Sequence, residues 1–124
     1  MSVNKVKLME EHEVWRRSLE LINQENALLK YKLSAIVDQS EGTHFLQTAE
    51  FYQNEFLKND EWFKRLSADL QSVSAEFNST SFEEIPVGLQ IKLQDKLRKE
   101  IKHFEQEFFH LSHEFNQKIR VFFN

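Results

Sequence analysis

The chain has 124 residues, 40% of them hydrophobic and 29% charged, and its formal net charge of −4 is mild. It contains no cysteine, which excludes disulfides and thiolate metal sites, and it has only two glycines and one proline. A many-stranded fold needs more turn residues than that, since average usage is about 7% glycine and about 5% proline, whereas long helices need few.

The first predicted helix covers about residues 4–37. Its apolar residues follow one another in steps of four and three from Leu8 to Ile36, which keeps them on one face of an α-helix and matches a coiled-coil heptad. A second row flanks the first, and we expect it to widen the buried face so that this helix packs against two others. The main row is Leu8, His12, Trp15, Leu19, Ile22, Asn26, Leu29, Leu33 and Ile36, and the flanking row is Val14, Leu21, Leu28 and Ala35.

The second predicted helix covers about residues 44–77, after a short polar break at 38–43. It keeps the same spacing from Phe45 to Phe77. The segment Asn-Ser-Thr-Ser at residues 78–81 then ends it, because these side chains compete for backbone hydrogen bonds. The row is Phe45, Ala49, Tyr52, Phe56, Asn59, Phe63, Leu66, Leu70, Val73 and Phe77.

The third predicted helix covers about residues 86–122. Ser81-Phe82-Glu83-Glu84 has the form of a capping box, but Pro86 follows too soon for a long helix to start there. We therefore expect one short turn, and then a helix that begins near Pro86. Its row is Leu93, Leu97, Ile101, Phe104, Phe108, Leu111, Phe115, Lys118 or Ile119 and Phe122, with Leu89 and Ile91 extending the apolar character toward its start.

Three helices of about 33 residues would each be about 50 Å long. Equal rods joined by short loops pack antiparallel and cover one another's apolar faces. The sequence therefore predicts an all-α fold, a single domain over 1–124 that forms an up-down-up bundle with coiled-coil-like packing.

Phenylalanine is the most distinctive component of the chain, with twelve residues. A three-helix bundle has a thin core, and several aromatic residues lie beside the main rows. We expect these flanks to form a contact surface for a second copy or another helical protein; the alternative is that drift of the helical period brings them into the core. The predicted contact residues are Phe51, Trp62, Phe108, Phe109, Phe115, Phe122 and Phe123.

Asn26 and Asn59 interrupt otherwise apolar rows. A buried asparagine needs hydrogen bonds and can fix the register of packed helices, which is the role we expect. The loop positions place Asn26 level with about Glu55, and Asn59 level with about Ile22 and Glu107. The alternative is a ligand- or metal-binding polar layer, whose candidate metal ligands are Glu55, Glu107 and His110. The pattern of paired Glu and Glu-x-x-His helices typical of di-iron bundles is absent, so we expect neither metal nor cofactor.

The sequence carries no motif for catalysis. A nucleophile elbow, a phosphate loop and a dinucleotide fingerprint all need glycines that this chain lacks. We therefore expect no catalytic residues and no enzyme. The function that the sequence favours is a structural or protein–protein interaction module that self-associates, with a dimer as the simplest form.

Two further expectations concern location and other partners. The amino-terminal residues lack the apolar stretch of a signal peptide, and no run approaches the roughly 20 apolar residues of a membrane span, so we expect a cytoplasmic protein without membrane contact. Charges are mixed in every segment, so we also expect no nucleic-acid binding. The rival hypothesis, a nucleic-acid or membrane-surface binder, would use the basic cluster Lys92, Lys96, Arg98, Lys99 and Lys102, which encloses Asp95 and Glu100.

Overall fold

The computed structural model describes residues 4–39 and 43–123, with side chains described at 4–39 and 45–120. Three long helices account for most of this chain: α1 (Lys5–Gln39), α2 (Thr43–Phe77) and α3 (Val87–Phe123), with a short 3₁₀ helix (Phe82–Glu84) before α3. The described residues contain no strand. The predicted all-α fold is therefore confirmed, and each helix begins and ends within two residues of its expected position.

Side-chain contacts between the helices establish their directions. His12 on α1 contacts Ser74 on α2, and Asn26 contacts Asn59, so these two helices run antiparallel. Glu11 and Ser18 on α1 contact Arg98 and Glu105 on α3, so α1 and α3 run parallel. On α2, Tyr52 contacts Glu114 and Trp62 contacts His103, which makes α3 antiparallel to α2. The result is the predicted up-down-up order.

The helix ends use local hydrogen bonds. The Asn4 side-chain oxygen accepts a bond from the Lys7 N–H at 3.3 Å, which caps the start of α1. The predicted capping box at Ser81 does not form: Ser81 makes no side-chain cap bond, and its hydroxyl instead bonds Ser79 at 2.9 Å. The physical reason is that the 3₁₀ helix is only three residues long, and its backbone bond from the Glu84 N–H to the Ser81 carbonyl at 2.9 Å already closes the turn.

The core is an aromatic and aliphatic stack that follows the predicted rows. Beside the first half of α2, the Phe115 ring meets the rings of Tyr52 and Phe56, each at 5.1 Å between centroids. Near the end of α2, Phe77 meets Phe82 of the 3₁₀ helix at 5.3 Å. Burial of such side chains is the main stabilising contribution, at roughly 1.5–3 kcal/mol each. The predicted row of the third helix left Lys118 and Ile119 open, and Ile119 is the one that is buried.

Two predictions about buried faces are wrong. The flanking row of α1 is not buried, since Val14 is 63%, Leu21 65% and Leu28 46% exposed. Each residue of the flanking row precedes a buried residue by one position, so its side chain points about 100° away from the buried one. The flanking row therefore lies beyond the contact with α3.

The start of α3 was also assigned to the wrong face. Leu89 and Ile91 are exposed, whereas Gln90 and Gln94 are buried. The reason is that the row of Leu97 continues backward in steps of three and four, and both glutamines find hydrogen-bond partners there. The Gln90 amide donates to the carbonyls of Phe82 and Ile85, each at 3.0 Å, and so joins the connecting segment to α3.

Candidate functional site

The exposed row on α1 is the most distinctive apolar feature of the surface. Val14, Leu21 and Leu28 are seven residues apart, so they lie on one line along the helix. At 1.5 Å per residue the row is about 21 Å long. Each side chain is about half exposed or more. A partner helix could pack along this row in the manner of a coiled coil.

Phe109 extends this row onto α3 and is 60% exposed. Ser18 of α1 donates to the Glu105 carboxylate of α3 at 2.6 Å, and Leu21 and Phe109 each follow that pair by one helical turn. Both therefore lie on the same side of the α1–α3 contact. Contacts between these helices join residues 82 to 87 positions apart, so Phe109 lies level with about residues 22–27 of α1. We call Val14, Leu21, Leu28 and Phe109 the outer patch.

The predicted contact residues do not form one surface. Phe108 and Phe115 are buried in the core, so the prediction that their rings face a partner is corrected. Adjacent residues on a helix point about 100° apart, which is why Phe109 is exposed beside the buried Phe108. Phe51 is exposed on α2, where its ring meets the edge of Tyr52 at 5.2 Å.

Trp62 and the end of α3 complete that set. Trp62 is half-buried and packs within the bundle, with its ring 4.9 Å from Phe104 and 5.3 Å from His103. Trp62 therefore agrees with the alternative interpretation, in which drift of the helical period brings a displaced aromatic residue into the core. Phe122 and Phe123 belong to the α3 backbone, but their side chains lie outside the described residues.

Asn26 and Asn59 meet in a buried layer between α1 and α2. The Asn59 amide donates to the Asn26 side-chain oxygen at 3.3 Å, and the Asn26 amide donates to the Phe56 carbonyl at 3.0 Å and to the Asp60 carboxylate at 2.9 Å. Lys30 donates to the same carboxylate at 2.6 Å. Asn59 thus lies about one helical turn from the expected level of Ile22. The layer is internally hydrogen-bonded, as expected for a register-fixing contact.

The candidate metal ligands are not assembled around this layer. Glu55 is half-buried and forms an ion pair at 3.1 Å with Lys58 of its own helix, and Glu107 and His110 are exposed on α3. Across the described parts of the chain, no group of three or more His, Asp or Glu side chains is arranged to hold a metal ion.

A second buried polar cluster, centred on His12, joins all three helices. The His12 Nε2 lies 2.6 Å from the Gln94 side-chain oxygen, and Nδ1 lies 2.8 Å from the Ser74 hydroxyl. The Gln94 amide nitrogen donates to the Leu8 carbonyl at 3.3 Å and to Glu11 at 2.8 Å, which fixes the side-chain oxygen toward His12. Because that oxygen can only accept, Nε2 carries the proton, and the Ser74 hydroxyl donates to Nδ1.

Burial and hydrogen bonds shift the pKa values of His12 and Glu11 in this cluster. Burial lowers the pKa of His12, although the bond to Gln94 and the charge of Glu11 oppose the shift. The Arg98 hydrogen bonds lower the pKa of Glu11, with burial opposing them. The His12 ring also stacks against Trp15 and against Phe77, with centroid distances of 5.6 and 5.5 Å.

His12 lies in the predicted row of the first helix, but the cluster around it was not predicted. The signal that could have revealed the cluster was the heptad spacing of the third helix. Steps of three and four backward from Leu97 give Gln94 and Gln90, so polar residues of two helices occupy core positions near the same end of the bundle. Two such interruptions that face each other indicate a hydrogen-bonded pair.

A groove of about 450 Å³ runs between α1 and α2 beside His12. Its floor is apolar, with Leu19, Phe63 and Leu70, and Arg16 at its rim is paired with Glu13 and Glu20. In the part of the chain with described side chains, every buried side-chain nitrogen and oxygen has a hydrogen-bond partner. Along the groove, His12 is bonded to Ser74, and Arg16 is bonded to Glu13 and Glu20.

The basic cluster of α3 is partly neutralised within the bundle. Arg98 donates to Glu11 of α1 at 2.6 and 2.9 Å and also bonds Asp95 of its own helix. Its side chain lies 5.8 Å from the Trp15 ring, in a cation–π arrangement. The four lysines of the cluster are exposed.

Comparison of the chain with protein-family models, with curated proteins and with solved structures finds no match. None of the helices, over the residues the structure describes, has the length and apolar character needed to cross a membrane.

Proposed function

We propose that the protein is a non-enzymatic interaction module that binds through helix–helix contacts and self-associates as a dimer. The observation that carries this proposal is the outer patch, a row of three exposed aliphatic side chains at heptad spacing joined by an exposed phenylalanine. Groups of exposed apolar side chains on one face mark interaction sites in other proteins.

Energetics support the same interpretation. Full burial of a leucine, valine or phenylalanine side chain is worth roughly 1.5–3 kcal/mol, and the outer patch contains four that are 46–65% exposed. A dimer that covered the outer patch on both copies would bury the exposed part of eight such side chains. With about 58% of each side chain exposed on average, complete cover would contribute roughly 7–14 kcal/mol. That range is comparable with the estimated 4–15 kcal/mol of entropy lost on association.

The alternative function, a ligand- or metal-binding bundle built on the asparagine layer, has weaker support. The amides of Asn26 and Asn59 are bonded to each other, to the Phe56 carbonyl and to Asp60. A ligand at this layer would have to displace those bonds.

The test is the oligomeric state of matched variants, measured by sedimentation equilibrium. Leu21→Glu places a charge in the middle of the outer patch, and we expect it to convert a dimer into a monomer without loss of helical circular dichroism. The control is Leu57→Glu on α2, which changes a leucine that is also exposed, at 47%, but lies outside the patch. If both variants dimerise as the wild type does, the outer patch is not the binding surface.

A further inference from the structure

We infer that the partner helix is α1 of a second copy of this chain, packed antiparallel about a two-fold axis at Leu21. This inference rests on the proposed function and deepens it, because it fixes both the identity and the direction of the partner. It depends on three features of the outer patch: its spacing, the charges beside it and the position of Phe109.

The spacing makes the row self-complementary. Val14 and Leu28 lie seven residues on either side of Leu21. When two copies of α1 cross antiparallel at Leu21, that residue meets its own counterpart, and Val14 meets Leu28 of the second copy at both ends. A parallel pairing would also match the three residues, each with itself. Hydrophobic spacing alone therefore does not decide the direction.

The flanking charges favour the antiparallel direction. One flank of the row carries Glu11, Ser18, Glu25 and Lys32, and the other carries Glu10, Arg17, Gln24 and Tyr31. In a two-fold antiparallel pair each flank meets itself, so that Glu11 lies opposite Lys32 of the second copy. Among the α1 side chains themselves, no like charges then face each other on either flank. In a parallel pair the two flanks meet each other, and Glu10 lies beside Glu11 of the second copy, which is repulsive.

Phe109 favours the same direction. It lies on the α3 side of the row, level with about residues 22–27 and hence close to Leu21. In the antiparallel pair both α3 helices lie on the same flank, so the Phe109 rings of the two copies approach each other near the axis. In a parallel pair the α3 helices lie on opposite flanks, and each ring stays exposed. The antiparallel pair covers more apolar surface.

The direction can be measured by spin labelling, because the natural chain has no cysteine and a single introduced cysteine gives one label per copy. Glu10→Cys and Gln24→Cys label two exposed positions on the same flank of α1. At 1.5 Å per residue, the antiparallel pair separates the two labels at position 24 by about 9 Å along the helix axis, and those at position 10 by about 33 Å. Electron paramagnetic resonance distances should differ accordingly.

The possible outcomes separate the inference from the proposed function. Equal distances at positions 10 and 24 in a confirmed dimer would indicate parallel pairing and overturn the inference alone. A wild-type chain that stays monomeric in sedimentation would overturn both.

Phe109→Ser adds an independent readout. We expect it to raise the dimer dissociation constant at least about tenfold, as is typical for the loss of a central aromatic contact. Leu57→Ser, an exposed change outside the patch, should leave that constant unchanged. An equal effect of the two substitutions would contradict the placement of Phe109 near the axis.

Discussion

The His12 cluster makes a quantitative prediction about buried hydrogen bonds. Gln94→Leu removes the oxygen that accepts from His12 Nε2 at 2.6 Å, at a site where His12 is 3% and Gln94 is 2% exposed. Water cannot replace the lost partner there, and an unsatisfied buried donor costs about 1–3 kcal/mol. We expect a loss of about 2 kcal/mol in the free energy of unfolding, or a fall of about 1 M in the urea midpoint.

A double-mutant cycle tests whether His12 and Gln94 stabilise the fold through their mutual hydrogen bond. His12→Leu alone should cost a similar amount, because it leaves the Gln94 oxygen without its donor. The double variant removes both polar partners, and we expect it to be more stable than the sum of the two losses by about 1–2 kcal/mol. Gln53→Leu, at an exposed position on α2, is the control and should change stability by less than about 0.5 kcal/mol. All unfolding curves need one protein concentration, since self-association adds to apparent stability.

Additive losses in that cycle would show that His12 and Gln94 are not coupled, and a Gln94→Leu loss as small as that of the control would show that the hydrogen bond does not matter for folding.

Two other predictions follow from burial. The pKa of His12 is lowered by burial from its ordinary 6.5, so below pH 6.5 the unfolded chain binds a proton that the folded chain does not, and stability should fall with falling pH; His12→Leu should flatten that fall in urea unfolding between pH 7 and 5.5. Phe115→Ala removes a fully buried ring from the core and should cost about 3–5 kcal/mol in thermal or urea unfolding, whereas the exposed neighbour Asn116→Ala should cost less than about 0.5 kcal/mol. Unchanged pH dependence in the first case, or equal losses in the second, would contradict the burial of those side chains.

The helices were predictable because their signal is local and repeated. Apolar residues spaced by three and four positions over five turns or more fit a helix and hardly any other structure. The single proline indicates the start of α3, which begins at Val87 directly after Pro86. The antiparallel order followed from loop length. These features depend on backbone geometry, which is the same in any helical bundle.

The buried faces were harder to predict, because the rotation of a helix about its axis is set by its neighbours. Leu21 and Leu28 have the composition of core residues but lie just past the contact with α3. Gln90 and Gln94 have the composition of surface residues but are buried, since partners on the connecting segment and on α1 satisfy them. Residue type does not distinguish these cases, and only the continuation of the heptad backward from Leu97 indicated core positions for the two glutamines.

The candidate site was predictable only in part. The exposure of Phe109 agrees with its place beside the main row, whereas Phe108 and Phe115 belong to the core because they lie on that row. Hydrogen bonding of Asn26 and Asn59 was expected, but loop arithmetic placed each of them about one turn from the partner that it has, so the contact between the two was not predicted. Small differences in how helices leave a loop displace the register over a length of about 50 Å.

Sedimentation equilibrium of the unmodified chain tests the central claim most directly. We predict a concentration-dependent mass that rises to twice the 14.9 kDa of one chain, and a Leu21→Glu variant that stays at 14.9 kDa over the same range. A wild-type mass of 14.9 kDa at every concentration would contradict it.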